Sequence, residues 1–237
     1  MTELFTLPLI QAISDWQNGG DVKTARARGL ALERECAALP SEFKVVSLAC
    51  FRRVALKKRS IWDLLGEQAL PEKISSWTFD LDLAKRFKNG VPPKGAGQQG
   101  VIFERVPHSE EIIVNLWKLF RDPDFKAAVK KHKRSVDNFP QGMGRYKNTQ
   151  SEVVLKVETL SQDHIYSLGG HSGSHEEILQ LLIAKVYGAH ATASQKDWLR
   201  RVMSVGPNVT GPKWLSPKAT RIVLNSVEPE IANLREG

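Results

Sequence analysis

Cysteine is nearly absent from this 237-residue chain, which has only Cys36 and Cys50. No paired Cys/His spacing accompanies them, so neither a disulfide framework nor a zinc site is indicated, and a reducing compartment suits the sequence. No apolar run is long enough to span a bilayer. The opening MTELFTLPLIQAISDW holds Glu3 and no basic residue, so it lacks the pattern of a secretory signal. A soluble, cytoplasmic protein with no membrane partner is expected. Internal repeats and low-complexity tracts are also missing. GAGQQG is no dinucleotide fingerprint, because no strand-to-helix crossover frames it. His171 and His175 have no third ligand at useful spacing, so no metal is expected.

Acidic residues are outnumbered, 26 against 34 Lys and Arg, for a net charge of +8. The excess is clustered: Lys44, Arg52, Arg53, Lys57, Lys58 and Arg59 have no acid among them, and Lys126, Lys130, Lys131, Lys133 and Arg134 form a second group. Such patches attract phosphates, and nucleic acid is the commonest polyanionic partner. A solvated helix face would explain KAAVKKHKRS equally well. The hydrophobic content of 41% is ordinary for a chain that builds its own core.

Residues 5 to 39 read as helical, with Pro40 as the stop. FKVVSLACFRRVAL reads as a strand, rich in residues that suit a pleated surface. A helix follows from Asp80 to Lys88, with Leu83, Ala84 and Phe87 on one face and Gly90 at the C-terminal cap. GVIFERVP is a second strand, and EEIIVNLWKLF fits strand or helix. Asp122 and Pro123 open the next helix. VDNFPQGMGRYKNT reads as structureless and leads into the strand QSEVVLKVETL, with HIYSL as its partner. Beyond residue 170 come capped helices, with Ser174/Glu177, Ser194/Asp197 and Ser216/Pro217 at their starts and a stripe of Leu179, Leu182, Ile183 and Val186. These helices are expected to pack on the domain.

Two strands carry residues that a core does not explain. In QSEVVLKVETL, period two sends Ser151, Val153, Leu155 and Val157 to one face and Gln150, Glu152, Val154 and Lys156 to the other. A carboxylate and an amide at a strand end below a loop make a plausible catalytic pair. An edge strand with a polar outer face gives the same alternation. In the earlier strand, Arg52 shares a face with Val46, Leu48, Cys50 and Val54, where an unpaired charge is costly unless an anion meets it. Arg53 takes that role if the strand is bulged. Between the two lies KISSWTFDLDLAKRFKNG, whose hydroxyls Ser75, Ser76 and Thr78 would ordinarily be read as helix caps.

Taken in order, CFRR with Arg52, SSWTFDLDLAKRF with its Ala and Phe on a helix, and NTQSEVVL with Glu152 resemble the mono-ADP-ribosyltransferases of the Arg-Ser-Glu class, related to the cholera-toxin and Rho-modifying exoenzyme families. The resemblance covers about residues 43 to 168. It implies an α+β fold with an ADP-ribosyltransferase-like core of two packed, mainly antiparallel sheets, flanking helices and a helical C-terminal appendage. The expected segments are 1–42, 43–170 and 171–237. It implies NAD as co-substrate, with Arg52 at the phosphates, Ser76 holding the nicotinamide ribose and orienting Glu152, Thr78 completing the strand, and Glu152 at the ribose 2′-hydroxyl.

The chemistry needs one carboxylate. Breaking the N-glycosidic bond builds positive charge on the ribose, which a nearby carboxylate stabilises more than the ground state. Nicotinamide in NAD already carries positive charge and leaves without a proton. Two positions depart from the family: Arg53 and Val54 follow the arginine where Gly is common, and Gln150 replaces the Glu that accompanies arginine acceptors. In the resemblance, Gln goes with asparagine acceptors or, in the pierisin-like branch, nucleic-acid bases. The expected acceptor is therefore nucleic acid, contacted by Arg145, Tyr146 and Lys147 with Tyr146 stacking on a base. A protein side chain is the alternative acceptor, and a non-enzymatic nucleic-acid-binding module the alternative to an enzyme. Kinship suggests a toxin, phage or defence enzyme, with an antitoxin-like or regulatory protein among its partners.

Overall fold

The computed structural model describes residues 4–236 other than 94, 95, 97, 147, 148, 172–178, 181, 182, 185 and 206–211. It is a mixture of helix and sheet with an antiparallel six-stranded sheet in the order β5-β6-β3-β1-β4-β8. The strands are β1 (Cys50–Lys57), β2 (Leu70–Pro71), β3 (Ile74–Thr78), β4 (Gln98–Arg105), β5 (Ile112–Val114), β6 (Glu152–Lys156), β7 (Thr159–Leu160) and β8 (Ile165–His171). β2 and β7 form a separate antiparallel pair. The chain divides into two compact units: Met1–Phe51, Glu72–Leu81 and Arg105–Glu158 make the first, and Arg52–Pro71, Asp82–Glu104 and Thr159–Gly237 the second. Each unit is assembled from non-contiguous stretches, so the segments 1–42, 43–170 and 171–237 do not coincide with them.

In the first unit the expected single helical run is two helices. α1 (Leu7–Asn18) starts at Thr6, whose hydroxyl accepts from the Leu9 amide, and stops at Gly19. The consecutive positive φ angles of Gly19 (72°) and Gly20 (132°) turn the chain, a conformation glycine adopts without penalty. α2 (Val22–Cys36) then begins under an Asp21 cap. The strand expected from residue 43 starts only at Cys50; Ser41–Lys44 is a 3-10 turn and Val45 and Leu48 are exposed. Asn115 is the reason: its amide N–H donates to the Phe43 carbonyl (2.7 Å) and its side chain to the Val45 carbonyl (3.2 Å), satisfying backbone groups that would otherwise seek a strand.

Asn115 also resolves EEIIVNLWKLF. The segment is β5 followed by the short helix Leu116–Leu119, because the Asn115 carbonyl oxygen of the side chain accepts from the Lys118 amide and caps it. The helix Pro123–His132 opens as expected, with Asp122 accepting from the Phe125 amide at 2.8 Å. The stretch expected to be structureless contains a helical turn, Met143–Tyr146, anchored by the buried Met143. The core of this unit joins Leu9, Ile10 and Ile13 of α1 and Leu32 of α2 to Val114, Phe125, Met143 and Val154.

β6 lies in the interior of the sheet, paired with β3 on one side and β5 on the other. Both of its faces are covered, with Val153, Val154 and Leu155 all fully buried, so it is not an edge strand with a polar outer face. HIYSL is not its partner; that segment belongs to β8, which pairs with β4.

In the second unit, the helix after β3 is Leu81–Arg86 with a further turn Phe87–Asn89, and Gly90 ends it at φ 79° as its position suggested. The helix Ala193–Val205 is capped by Thr192 and Gln195, not by Ser194 and Asp197: the Gln195 amide donates to the Thr192 hydroxyl and the Thr192 amide to the Gln195 side chain. The last helix, Pro217–Glu236, begins as read, with Ser216 accepting from the Ala219 amide. It packs on β8, where the Leu168 amide donates to Thr220 and the Ser167 hydroxyl to the Leu215 carbonyl. Trp214 lies against Gly100 and Gly169, where a Cβ would come within 2.9 and 2.7 Å of its ring. Ser174, Glu177, His175 and Leu182 lie outside the described residues. Leu179 and Ile183 of the expected stripe are buried and Val186 packs against them.

Candidate active site

The first unit brings Glu152, Ser76 and Thr78 together through strand register. Across the β3–β6 ladder, Thr78 faces Glu152, Ser76 faces Val154 and Ile74 faces Lys156, so these six side chains share one side of the sheet. α1 and α2 cover that side: Val154 joins their core, and the Lys156 ammonium reaches Glu33 of α2 at 2.8 Å. The Cβ that Gly29 lacks would stand 3.1 Å from Ile74 and 3.2 Å from the Trp16 ring, so glycine lets α2 approach this closely. Glu152, the first residue of β6, is drawn into this covered layer and is only 5% exposed.

Three donors meet its carboxylate. The Ser76 hydroxyl donates to Oε1 at 2.5 Å, the Trp16 indole N–H to the same oxygen at 2.9 Å, and the Gln17 side-chain amide to Oε2 at 3.3 Å. Burial, the largest influence, pushes the Glu152 carboxyl above the ordinary value of 4.5, while the bonds from Ser76, Trp16 and Gln17 pull it back down. The groups that perturb it are all uncharged. A carboxylate in a buried, donor-lined setting can stabilise positive charge that develops beside it.

The turn before the strand is fixed just as closely. Thr78 donates its hydroxyl to the Gln150 carbonyl at 2.7 Å and accepts from the Asp80 amide at 3.1 Å, and the Phe79 amide donates to the Ser151 carbonyl. Ser151 sits at φ 45°, a left-handed conformation a serine adopts only when its surroundings hold it there. β6 therefore begins at Glu152, and period two does not extend through Ser151 to Gln150. The expectation that Gln150 and Glu152 pair by alternation is corrected on this ground; Gln150 is half-buried and enters the site through its backbone.

Of the residues expected to contact an acceptor, Arg145 is exposed and its guanidinium stands 5.2 Å over the half-buried Tyr146 ring. Lys147 lies outside the described residues. Their helical turn is held to α1, where the Met143 amide donates to the Ser14 hydroxyl. The Lys126 group lies on exposed positions in and after its helix.

Arg52 and Arg53 belong to the second unit. There they line a cavity of about 680 Å³ with Lys88, Asn89, Gln98 and the exposed Phe87. Arg53 donates from Nη2 to the Gly90 carbonyl at 2.7 Å, its Nε is buried with no hydrogen-bond partner among the described residues, and burial lowers its pKa. The first basic cluster is thus less unified than its sequence suggests, since Lys44 is in the other unit and donates to the Ala37 carbonyl. No group of three or more metal-ligating side chains occurs among the described residues. No helix among them is long and apolar enough to cross a membrane.

Trp16 and Gln17 were not legible as site residues from motif order. Gln17 did leave a trace: it continues the buried stripe of Ile10, Ile13 and Ser14 on α1, a place where an amide needs a partner. Comparison of the chain with protein-family models, curated proteins and solved structures gives no significant match.

Proposed function

We propose that the protein is an NAD-dependent mono-ADP-ribosyltransferase built on an ADP-ribosyltransferase-like α+β core. The observation that carries this reading is the hydroxyl of Ser76 on one strand donating to the buried carboxylate of Glu152 on its neighbour. A core has no use for a carboxylate there. Stabilising an oxocarbenium-like ribose has every use for one.

In the proposed reaction the bond between ribose C1′ and the nicotinamide nitrogen breaks, with its electron pair leaving on the ring nitrogen and neutralising it. Glu152 accepts a hydrogen bond from the ribose 2′-hydroxyl and stabilises the charge building at C1′. A nucleophile of the acceptor then forms the new bond to C1′ and gives its proton to solvent. Within the second unit, the cavity lined by Arg52 and Arg53 supports a phosphate-binding role for these side chains, since guanidinium forks match phosphate oxygens and a phosphate oxygen would give the buried Arg53 Nε an acceptor. Nucleic acid is the proposed acceptor, on the strength of the exposed basic residues around Lys126–Arg134 and of Arg145 beside Tyr146.

Incubation with NAD labelled in the adenylate, together with separate RNA, DNA and protein pools, tests the whole reading. Label in nuclease-sensitive material supports it, and label in protease-sensitive material moves the acceptor to a side chain. An absence of both transfer and nicotinamide release leaves a non-enzymatic binding module. Glu152→Gln is expected to abolish transfer.

A further inference from the structure

The two oxygens of Glu152 are not equivalent. Oε1 is gripped twice, by the Ser76 hydroxyl at 2.5 Å and the Trp16 indole at 2.9 Å, both from elements packed around it. Among the described residues, Oε2 accepts one longer bond, at 3.3 Å from the Gln17 side-chain amide. An indole N–H is one donor on a rigid ring, and this ring is wedged where α2 approaches at Gly29, so it cannot swing away cheaply. The Gln17 amide rides on three rotatable bonds in the last turn of α1, directly before the Gly19–Gly20 turn.

We propose that α1 divides the carboxylate into an anchored oxygen and a working oxygen: Trp16, with Ser76, positions Oε1, and Gln17 occupies Oε2 as a stand-in for the substrate hydroxyl that must replace it. This rests on the NAD reading for the identity of that hydroxyl, the ribose 2′-OH. The stand-in keeps the working oxygen hydrogen-bonded while it is buried, and the substrate exchanges one hydrogen bond for another as it binds. Trp16 is a positioning residue, since it acts through Glu152. Two neighbours on one helix are thereby given opposite effects, which a purely structural role for either would not produce.

Among the described residues the groups facing Glu152 are Ser76 from β3 and Trp16 and Gln17 from α1, none of them charged. The first measurement needs no substrate: the carboxyl carbon of Glu152, labelled with ¹³C and assigned through Glu152→Gln, is titrated by NMR in the full-length protein. Trp16→Phe keeps an aromatic side chain but removes the indole N–H that donates to the ionised form, so the midpoint moves to higher pH. Gly29→Ala, which presses on the Trp16 ring without removing its N–H, moves it the same way by less and serves if Trp16→Phe folds poorly. An unmoved midpoint in both overturns the anchoring role.

The second measurement is nicotinamide release. Trp16→Phe lowers kcat roughly tenfold, the scale of one hydrogen bond to a charged group, and shifts the acid limb of the pH profile upward. Gln17→Ala lowers KM for NAD several-fold, because a competing donor is gone. A raised KM in Gln17→Ala overturns the stand-in role. A wild-type protein that neither binds NAD nor releases nicotinamide overturns the NAD reading and the stand-in role with it, while the titration still decides whether Trp16 holds Oε1.

Discussion

Replacing Glu152 by glutamine removes a charge and keeps the shape, and it should make the protein more stable while destroying the proposed activity. The side chain is 5% exposed, and burial outweighs its hydrogen bonds in setting the direction of its pKa, so the charged form is held at a net cost. A glutamine oxygen still accepts from Ser76 and Trp16, although neutral bonds are each weaker by about 1 kcal/mol than charge-assisted ones. Relief of the buried charge is worth several kcal/mol and exceeds that loss, leaving a net gain of about 1–2 kcal/mol at neutral pH. For a chain of this size that is a rise in Tm of about 2–8 °C. The gain must depend on pH with a definite sign. A carboxyl whose folded-state pKa is raised binds more protons folded than unfolded between the two values, so wild-type stability is full below the ordinary 4.5 and falls as pH rises through the folded-state value. The advantage of Glu152→Gln is therefore largest at neutral and alkaline pH and fades in acid. Thermal melts of both proteins across that range, at one ionic strength, give the difference directly. A variant that melts below wild type at neutral pH, or a difference that does not change with pH, refutes the reasoning.

Burial pushes the thiols of Cys36 and Cys50 each up to about 12, so neither should react with iodoacetamide at neutral pH while the protein is folded; mass spectrometry showing rapid alkylation of the native chain would contradict this. Gly142→Ala would set a Cβ 2.1 Å from the Ser14 carbonyl oxygen, a backbone atom that moves only with α1, and should cost about 2–3 kcal/mol by chemical denaturation. In the second unit, inorganic pyrophosphate should raise the Tm of the wild type by ordinary linkage, and Arg53→Met should lose most of that rise; equal rises in both would remove Arg53 from the anion site.

The elements that announced themselves were those with local chemistry of their own. Asp122-Pro123 and Ser216-Pro217 cap helices wherever the rest of the chain goes, and Gly90 ends one by taking a positive φ. What escaped depended on distant partners. Val45 and Val46 have strand chemistry, yet Asn115, seventy residues on, takes the Val45 carbonyl and holds the segment out of the sheet. HIYSL alternates as a strand should, and alternation says nothing about whether its neighbour is β6 or β4. Ser76 and Glu152 were legible because a short motif marks each, and Ser151 at φ 45° was not, because serine carries no warning of a left-handed turn.

The polar face read on β6 and the buried face found there come from one cause. Period two separates Glu152 from Val153 correctly, but it cannot say that α1 and α2 lie over the Glu152 side. Once they do, every polar group on that face must find a partner or be expelled. Lys156 escapes along α2 to Glu33, and Thr78 turns to the Gln150 carbonyl. Glu152 alone stays inside, and it does so by recruiting Ser76 from the next strand and two side chains from a helix more than a hundred residues away in sequence. A leucine would fill the position with none of this apparatus. An acid there, with donors arranged on both oxygens, costs stability that a leucine would not, and chemistry at a developing positive charge, as proposed above, is a use that matches that cost.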